Sequence, residues 1–297
     1  MNVPDSLADD APSGKTDRPD ARRCAADGCT TDVDPVQAPD GTWLGPTDLC
    51  DDCQARQTRH RQLQEIRTRR FKAAWRKAGI PKNVADDLND ESVTLDERIK
   101  GALQPAIETP PTGGSFPCAT YLHGPVGSGK TTAACWALKA YLRRWRRNEP
   151  KRIEEYGDDY DDAWGRCTAR FAPLVELLAD KRESFGGGKE VQMQTYREAD
   201  FLVLDDLGRE QPSKSGWAAE QIYLLVNYRV NERLPTVFTS NYPVHGLPEG
   251  NRDTTGGETR CNYDDRVVSR ILQMCGSQTD TLYHIELSGD YRRERRP

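Results

Sequence analysis

Leu122 to Thr132 read LHGPVGSGKTT, and this short run constrains the chain more than any other. A glycine at 124, four residues, then Gly129-Lys130-Thr131 is the spacing of a P-loop. The reason is backbone geometry. Gly124, Gly127 and Gly129 allow a tight turn that points successive N–H groups into one concavity, and such a nest takes phosphate oxygens. Pro125, Val126 and Ser128 complete the turn. Lys130 is placed to reach the β- and γ-phosphates and Thr131 to ligate Mg²⁺, with Thr132 opening the helix behind them. The flanks agree. Ala119–Leu122 reads as a strand, and Thr132 to about Arg147 as a helix whose positive end faces the phosphates. A strand, a phosphate loop and a helix in that order imply an α/β fold with ATP as the expected ligand. A second GKT, Gly14 to Thr16, has Asp9 where the first glycine should stand and no strand before it, so it is set aside.

From Cys118 onward strand-like and helix-like stretches alternate, the pattern of a parallel sheet covered on both faces. The further strands expected are Thr168–Phe171, Phe201–Asp205, Thr236–Thr239 and Tyr283–Leu287. Pro173–Phe185 and Ala218–Val230 read as helices. Phe201 to Leu204 is a continuous apolar run, as in a strand buried on both faces, and it ends in Asp205-Asp206. Two adjacent acids at a buried strand end are costly unless they meet a cation. Asp205 fits the Walker B role of holding Mg²⁺, and Asp206 the role of orienting or deprotonating the attacking water. The next strand ends in Thr239-Ser240-Asn241, at the sheet edge where ligands of open α/β sheets lie. There Asn241 can position water or touch the γ-phosphate. Arg266 and Arg270 stand four apart on a helix read over Asp265–Gln273, and Arg292 follows. Each can meet charge on a γ-phosphate, and their spacing alone does not choose among them.

Upstream, the cysteines carry the argument. Of the nine in the chain, four cluster: Cys24 and Cys29, then Cys50 and Cys53 after twenty residues. Two close pairs on short knuckles can supply four thiolates to a tetrahedral zinc ion. The other five are scattered and read as small core residues. The chain holds no apolar run long enough to span a membrane and no signal-peptide pattern, so the expected compartment is the cytoplasm. A net charge of −5 speaks against a general nucleic-acid coat, but the charge is blocked. Residues 54–82 carry ten Lys or Arg against Glu65 alone, whereas Glu154–Asp162 holds six acids. The basic block falls on a helix expected over Gln54–Ala78, with Leu63, Ile66, Phe71, Ala74 and Trp75 as an incomplete apolar stripe. Such a helix suits DNA or an acidic protein face, and equally a solvated linker.

The ordered set HGPVGSGKTT, ADFLVLDDLGRE, NYRVNERLPTVFTSNYP, DRVVSRIL and GDYR resembles the DnaC/DnaI-type AAA+ helicase loaders and the related IstB transposition ATPases. It covers roughly residues 118–292. The resemblance implies Walker A roles for Lys130 and Thr131, Walker B roles for Asp205 and Asp206, and sensor 1 for Asn241. It also implies that Arg270 is the arginine finger and Arg292 sensor 2. Departures are the long acidic stretch at Glu154–Asp162 and a loop at Glu249–Thr259 that looks inserted. The fold class expected is α/β, an AAA+ P-loop parallel sheet flanked by helices, preceded by a small zinc-binding module and a helical region. The boundaries expected are a tail at 1–20, the zinc module at 21–55, a basic helical region at 56–104, a Pro/Gly-rich linker at 105–117 and the ATPase domain at 118–297.

The cofactors expected are ATP, Mg²⁺ and Zn²⁺. The partners implied are a replicative DnaB-type ring helicase, single-stranded DNA and further copies of the chain meeting at the ATP sites, with no membrane. Two alternatives stand beside helicase loading: an IstB-like transposition ATPase, and a zinc-dependent DNA-binding module with a nucleotide switch.

Overall fold

The computed structural model describes residues 19–39, 42–44, 47–89, 95–110, 113–147, 168–184, 193–209, 216–247, 263, 265–276 and 284–286. Most of the expected tail, the Glu154–Asp162 stretch, the 249–259 loop and Arg292 lie outside these residues. The chain divides into two compact units, Met1–Thr68 and Arg69–Pro297.

The described strands of the first unit are two residues long and pair two by two. Strand β1 (Arg22–Arg23) pairs antiparallel with β2 (Asp32–Val33), and β3 (Val36–Gln37) with β4 (Trp43–Leu44). Helix α1 (Asp51–Lys77) comes next in the chain and starts three residues earlier than the charge pattern suggested. Among the described residues the buried hydrophobic cluster here is Cys24, Val33, Cys50 and Cys53, with Ala26, Cys29 and Leu49 packed against it. Such a core is far below what a free-standing unit needs without a staple.

The second unit begins inside α1. Phe71 and Trp75 stack with ring centroids 6.2 Å apart, and with Ala74 they pack on a buried cluster. Two more helices join it: α2 (Lys82–Asn89) and α3 (Glu97–Glu108). This corrects two expected boundaries. The stretch 105–117 is not all linker, because α3 continues through Pro105 to Glu108. The core does not start at 118, because α2 and α3 contribute Val84, Ile99, Leu103 and Ile107 to it. Proline inside a helix costs about 3 kcal/mol. Leu103 is 0% and Ile107 5% exposed, and each such burial contributes about 1.5–3 kcal/mol, so packing outweighs the local signal. The Thr120 hydroxyl donates to the Ala102 carbonyl at 2.6 Å and fastens α3 to the first strand of the main sheet.

That sheet has five parallel strands: β5 (Ala119–His123), β6 (Ala169–Pro173), β7 (Phe201–Leu207), β8 (Thr236–Ser240) and β9 (His284–Glu286). Their order is β6-β7-β8-β5-β9, with every pairing parallel. β8 thus lies between the strand before the phosphate loop and the strand bearing the two acids. Helices α4 (Lys130–Arg147), α5 (Leu174–Ser184), α6 (Met193–Arg197), α7 (Trp217–Asn231) and α8 (Asp265–Cys275) connect and cover the strands. Leu202, Leu204 and Phe238 join one buried cluster with α5, α7 and α8. Val203 and Val237 join the other, with α3 and α4. Alternate residues of one strand face opposite layers, as a sheet covered on both sides requires. The expected fold class, a P-loop parallel sheet flanked by helices and preceded by a cysteine module and a helical region, is present.

Two buried cations tie the layers together. Lys139 of α4 donates to the Leu88 carbonyl at 2.7 Å and to Asn89 Oδ1 at 2.9 Å, and lies 5.6 Å from the Trp75 ring centroid. Arg229 of α7 is fully buried. It donates to Thr236 Oγ1 and to the carbonyls of Tyr196, Arg197, Ala199 and Pro235. Three of those carbonyls belong to the end of α6 and the turn after it, where a helix leaves acceptors unpaired.

Candidate nucleotide site and cysteine cluster

The phosphate loop leaves β5 at His123 and enters α4 at Lys130, two residues before the helix start read from sequence. The first helical turn closes on the loop itself, since the Ala133 amide donates to the Gly129 carbonyl at 2.9 Å. Gly124, Gly127 and Gly129 take φ values of 143°, 86° and 86°, a region closed to most side chains. Val126 stands exposed at the tip, while Ser128 and Lys130 are buried beneath. Lys130 Nζ donates to the carbonyls of Gly124 and Pro125 at 2.9 and 2.7 Å, so the ammonium sits within the curve of the loop. An ammonium inside a cradle of turned backbone fits a polyphosphate.

The acids come from the next strand but one. Thr131 Oγ1 donates to Asp205 Oδ1 at 3.0 Å, so the hydroxyl and carboxylate assigned to Mg²⁺ from sequence lie within reach of one small ion. Both are hard oxygen donors of the kind Mg²⁺ takes. Burial raises the Asp205 carboxyl above its usual range, and the Thr239 and Thr131 hydroxyls pull it part of the way back. Asp206 adopts φ 66°, a conformation that costs a non-glycine residue about 1–3 kcal/mol. Its carboxylate meets Arg209 Nη1 at 2.8 Å and Asn241 Nδ2 at 3.4 Å. The loop after β8 is fixed in turn. Ser240 Oγ donates to the Leu207 carbonyl at 2.7 Å, and Tyr121 Oη donates to the Tyr242 carbonyl at 2.8 Å.

Lys130, Thr131, Asp205, Asp206 and Asn241 are therefore brought together at the carboxyl edge of the sheet. Among the described residues Arg270 makes no hydrogen bond to any of them. It lies on α8, whose buried face is Val267, Val268, Ile271, Met274 and Cys275, and its Nη1 donates to Gln273 Oε1 at 2.9 Å. Arg266, one turn earlier, lies 5.0 Å from the Tyr223 ring centroid. Sequence reasoning missed Arg209 as a partner of Asp206 and passed over Thr239, which bonds both acids. The sequence carried no signal for Thr239, because its place beside the acids depends on the pairing of β8 with β7.

In the first unit, Cys24 and Cys29 sit on a knuckle between β1 and β2, closed by Cys24 N–H donating to the Thr31 carbonyl at 2.9 Å and Cys29 N–H to the Ala26 carbonyl at 3.0 Å. Cys50 precedes α1 and Cys53 lies in its first turn. The Ala25 amide joins the knuckles by donating to the Asp48 carbonyl at 2.7 Å. The four sulfurs lie within 4.8 Å of one another. A Zn–S bond of about 2.3 Å implies tetrahedral edges of about 3.8 Å, and Cys29 and Cys50 Sγ are 3.8 Å apart. Hydrogen bonds from Thr31 pull the Cys29 thiol down to about 6. Cys53 is pushed up to about 12, chiefly by its hydrogen bond with Cys50. Four closely set thiols with both knuckles formed fit a tetrahedral thiolate-bound ion.

The fold is a five-stranded parallel sheet flanked by helices, with a phosphate-type loop, two acids and an asparagine at its carboxyl edge. No family model matches the chain. The phage-like element PBSX protein XkdC of Bacillus subtilis (strain 168) is 27% identical over 108 residues, which is 35% of this chain and 35% of that one. The match thus spans about a third of the length of that curated relative. Among solved structures, DnaI is similar with a TM-score of 0.45 and 21% identity over 71% of this chain and 93% of its own. The DnaC helicase loader is similar with a TM-score of 0.43 and 22% identity over 70% and 98%. These two are proteins of the kind the ordered motifs resembled.

Proposed function

We propose that this chain is a Mg²⁺-dependent ATPase that loads or remodels a replicative DnaB-type ring helicase on single-stranded DNA. The observation that carries the reading is the convergence of Lys130, Thr131, Asp205, Asp206 and Asn241 at one edge of a parallel sheet. In this reading the loop amides and Lys130 hold the β- and γ-phosphates, and Thr131 and Asp205 hold Mg²⁺. Bound there, ATP would supply the phosphoryl group and Mg²⁺ would supply positive charge against its oxygens. Asp206 orients the attacking water and takes its proton, with Asn241 beside it. Arg270 serves the site of a neighbouring copy and Arg292 the chain's own, so that copies assemble through their ATP sites. The exposed bases of α1, among them Arg56, Arg59 and Arg61, offer contacts to phosphates of single-stranded DNA. No helix among the described residues is long and apolar enough to cross a membrane, and the cytoplasm is the compartment proposed.

The test is co-purification with ATP and Mg²⁺, with Lys130→Ala as control. The parent retains a hexameric ring helicase and the control loses it, because the β/γ-phosphate charge has lost its partner. Retention of a transposase instead would replace this reading by the transposition one.

Zinc at Cys24, Cys29, Cys50 and Cys53 is proposed as the staple of the first unit, whose own core is too small to hold it. Metal analysis should give about one zinc per chain. Cys50→Ser should lose the ion and unfold the first unit, seen as lost far-ultraviolet signal, while nucleotide affinity of the second unit stays at the parental value. Full zinc in the variant would show the ligand set to be wrong.

A further inference from the structure

β7 and β8 do not pair evenly. Leu204 faces Phe238 and Leu207 faces Ser240, so Asp205 and Asp206 together stand opposite Thr239 alone. This is a bulge, rare between parallel strands and common beside active sites because it re-aims a side chain. In a regular strand, neighbouring residues point to opposite faces. Here the left-handed turn at Asp206, φ 66°, brings its carboxylate to Asn241, while Asp205 stays against Thr131.

One buried hydroxyl spans the irregularity. Thr239, 1% exposed, donates from Oγ1 to Asp205 Oδ1 at 2.7 Å and accepts from the Asp206 amide at 2.9 Å. The geometry points to Thr239 as the positioning residue of the acid pair: its hydroxyl holds the bulged Asp206 backbone and the Asp205 carboxylate at one fixed separation. A serine or threonine hydroxyl does both jobs, since it has one proton to give and lone pairs to accept. Valine has the shape and neither function. The inference rests on the proposed roles of Asp205 and Asp206 and adds that their relative placement is set from the neighbouring strand.

The experiment compares the parent with Thr239→Val and Thr239→Ser in two readouts. The first is amide hydrogen exchange at Asp206 in nucleotide-free protein. Exchange should be faster in Thr239→Val and near parental in Thr239→Ser. The second is steady-state ATP turnover with a Mg²⁺ titration. Thr239→Val should lose about 10²-fold in kcat, the scale of a reacting group displaced by about 1 Å. Its KM should change little and it should need more Mg²⁺, while Thr239→Ser recovers most of the turnover. Thr239→Ala serves the same comparison if the valine is not accommodated. A residue that only fills space predicts the reverse: valine harmless, alanine less heat-stable, and kcat per folded chain unchanged in both. Parental exchange and parental turnover in Thr239→Val would overturn the inference. A parent that hydrolyses no ATP would overturn the proposed function instead, and the exchange comparison would still decide what the hydroxyl holds.

Discussion

Asp206→Asn is expected to bind ATP as the parent does and to turn it over about 10²–10⁴-fold more slowly, the range a general base contributes. The substitution is conservative in two respects. Asparagine is among the few residues that tolerate the left-handed region, so φ 66° at this position survives. The amide of residue 206 still donates to Thr239 Oγ1, so the bulge survives as well. What goes is the basicity of one carboxylate. The pair with Arg209 also goes, but its side chains are 56% and 31% exposed, and such pairs contribute about 0–1 kcal/mol. Lys130→Ala acts on the other parameter and raises the nucleotide Kd. Separate measurement of Kd and kcat distinguishes the two effects. Equal turnover in Asp206→Asn and the parent would remove Asp206 from the water-activating role.

The second large effect is expected at Arg270. In AAA+ assemblies of the kind proposed, an arginine from one copy stabilises charge on the γ-phosphate held by the next. α8 buries Val267, Val268, Ile271 and Met274 and holds Arg266 over Tyr223. Arg270 bonds within its own helix, and among the described residues no hydrogen bond ties it to the chain's own phosphate loop. Arg270→Ala should bind ATP normally and hydrolyse it about 10³-fold more slowly, the lower range for such an arginine. Mixed with Lys130→Ala, it should regain part of the rate, because the Lys130 variant still offers Arg270 to an intact loop. If the two variants co-assemble and no ratio restores activity, Arg270 does not act in trans.

Much of this was legible from residues because local chemistry dictated it. The P-loop spacing fixed a strand, a turn and a helix. The apolar run Phe201–Leu204 fixed a buried strand ending in acids, and the cysteine spacing fixed the pair of knuckles. What was not legible depended on distant partners. Pro105 reads as an end of helix, yet Leu103 and Ile107 carry α3 past it by burial against residues far along the chain. The strand order, with β8 between β5 and β7, follows from how five strands share two covered faces. The same holds for Thr239. Its place opposite two acids exists only once β8 has paired with β7 and slipped by one residue.

Isothermal titration of ATP with Mg²⁺, followed by turnover on the same samples, tests the central claim most directly. The parent should bind about one ATP per chain and release phosphate only when Mg²⁺ is present. Lys130→Ala should show weakened binding and lose turnover. A parent that binds no ATP, or a Lys130→Ala variant that binds and hydrolyses as the parent does, would contradict the assignment of this sheet edge as an ATP site.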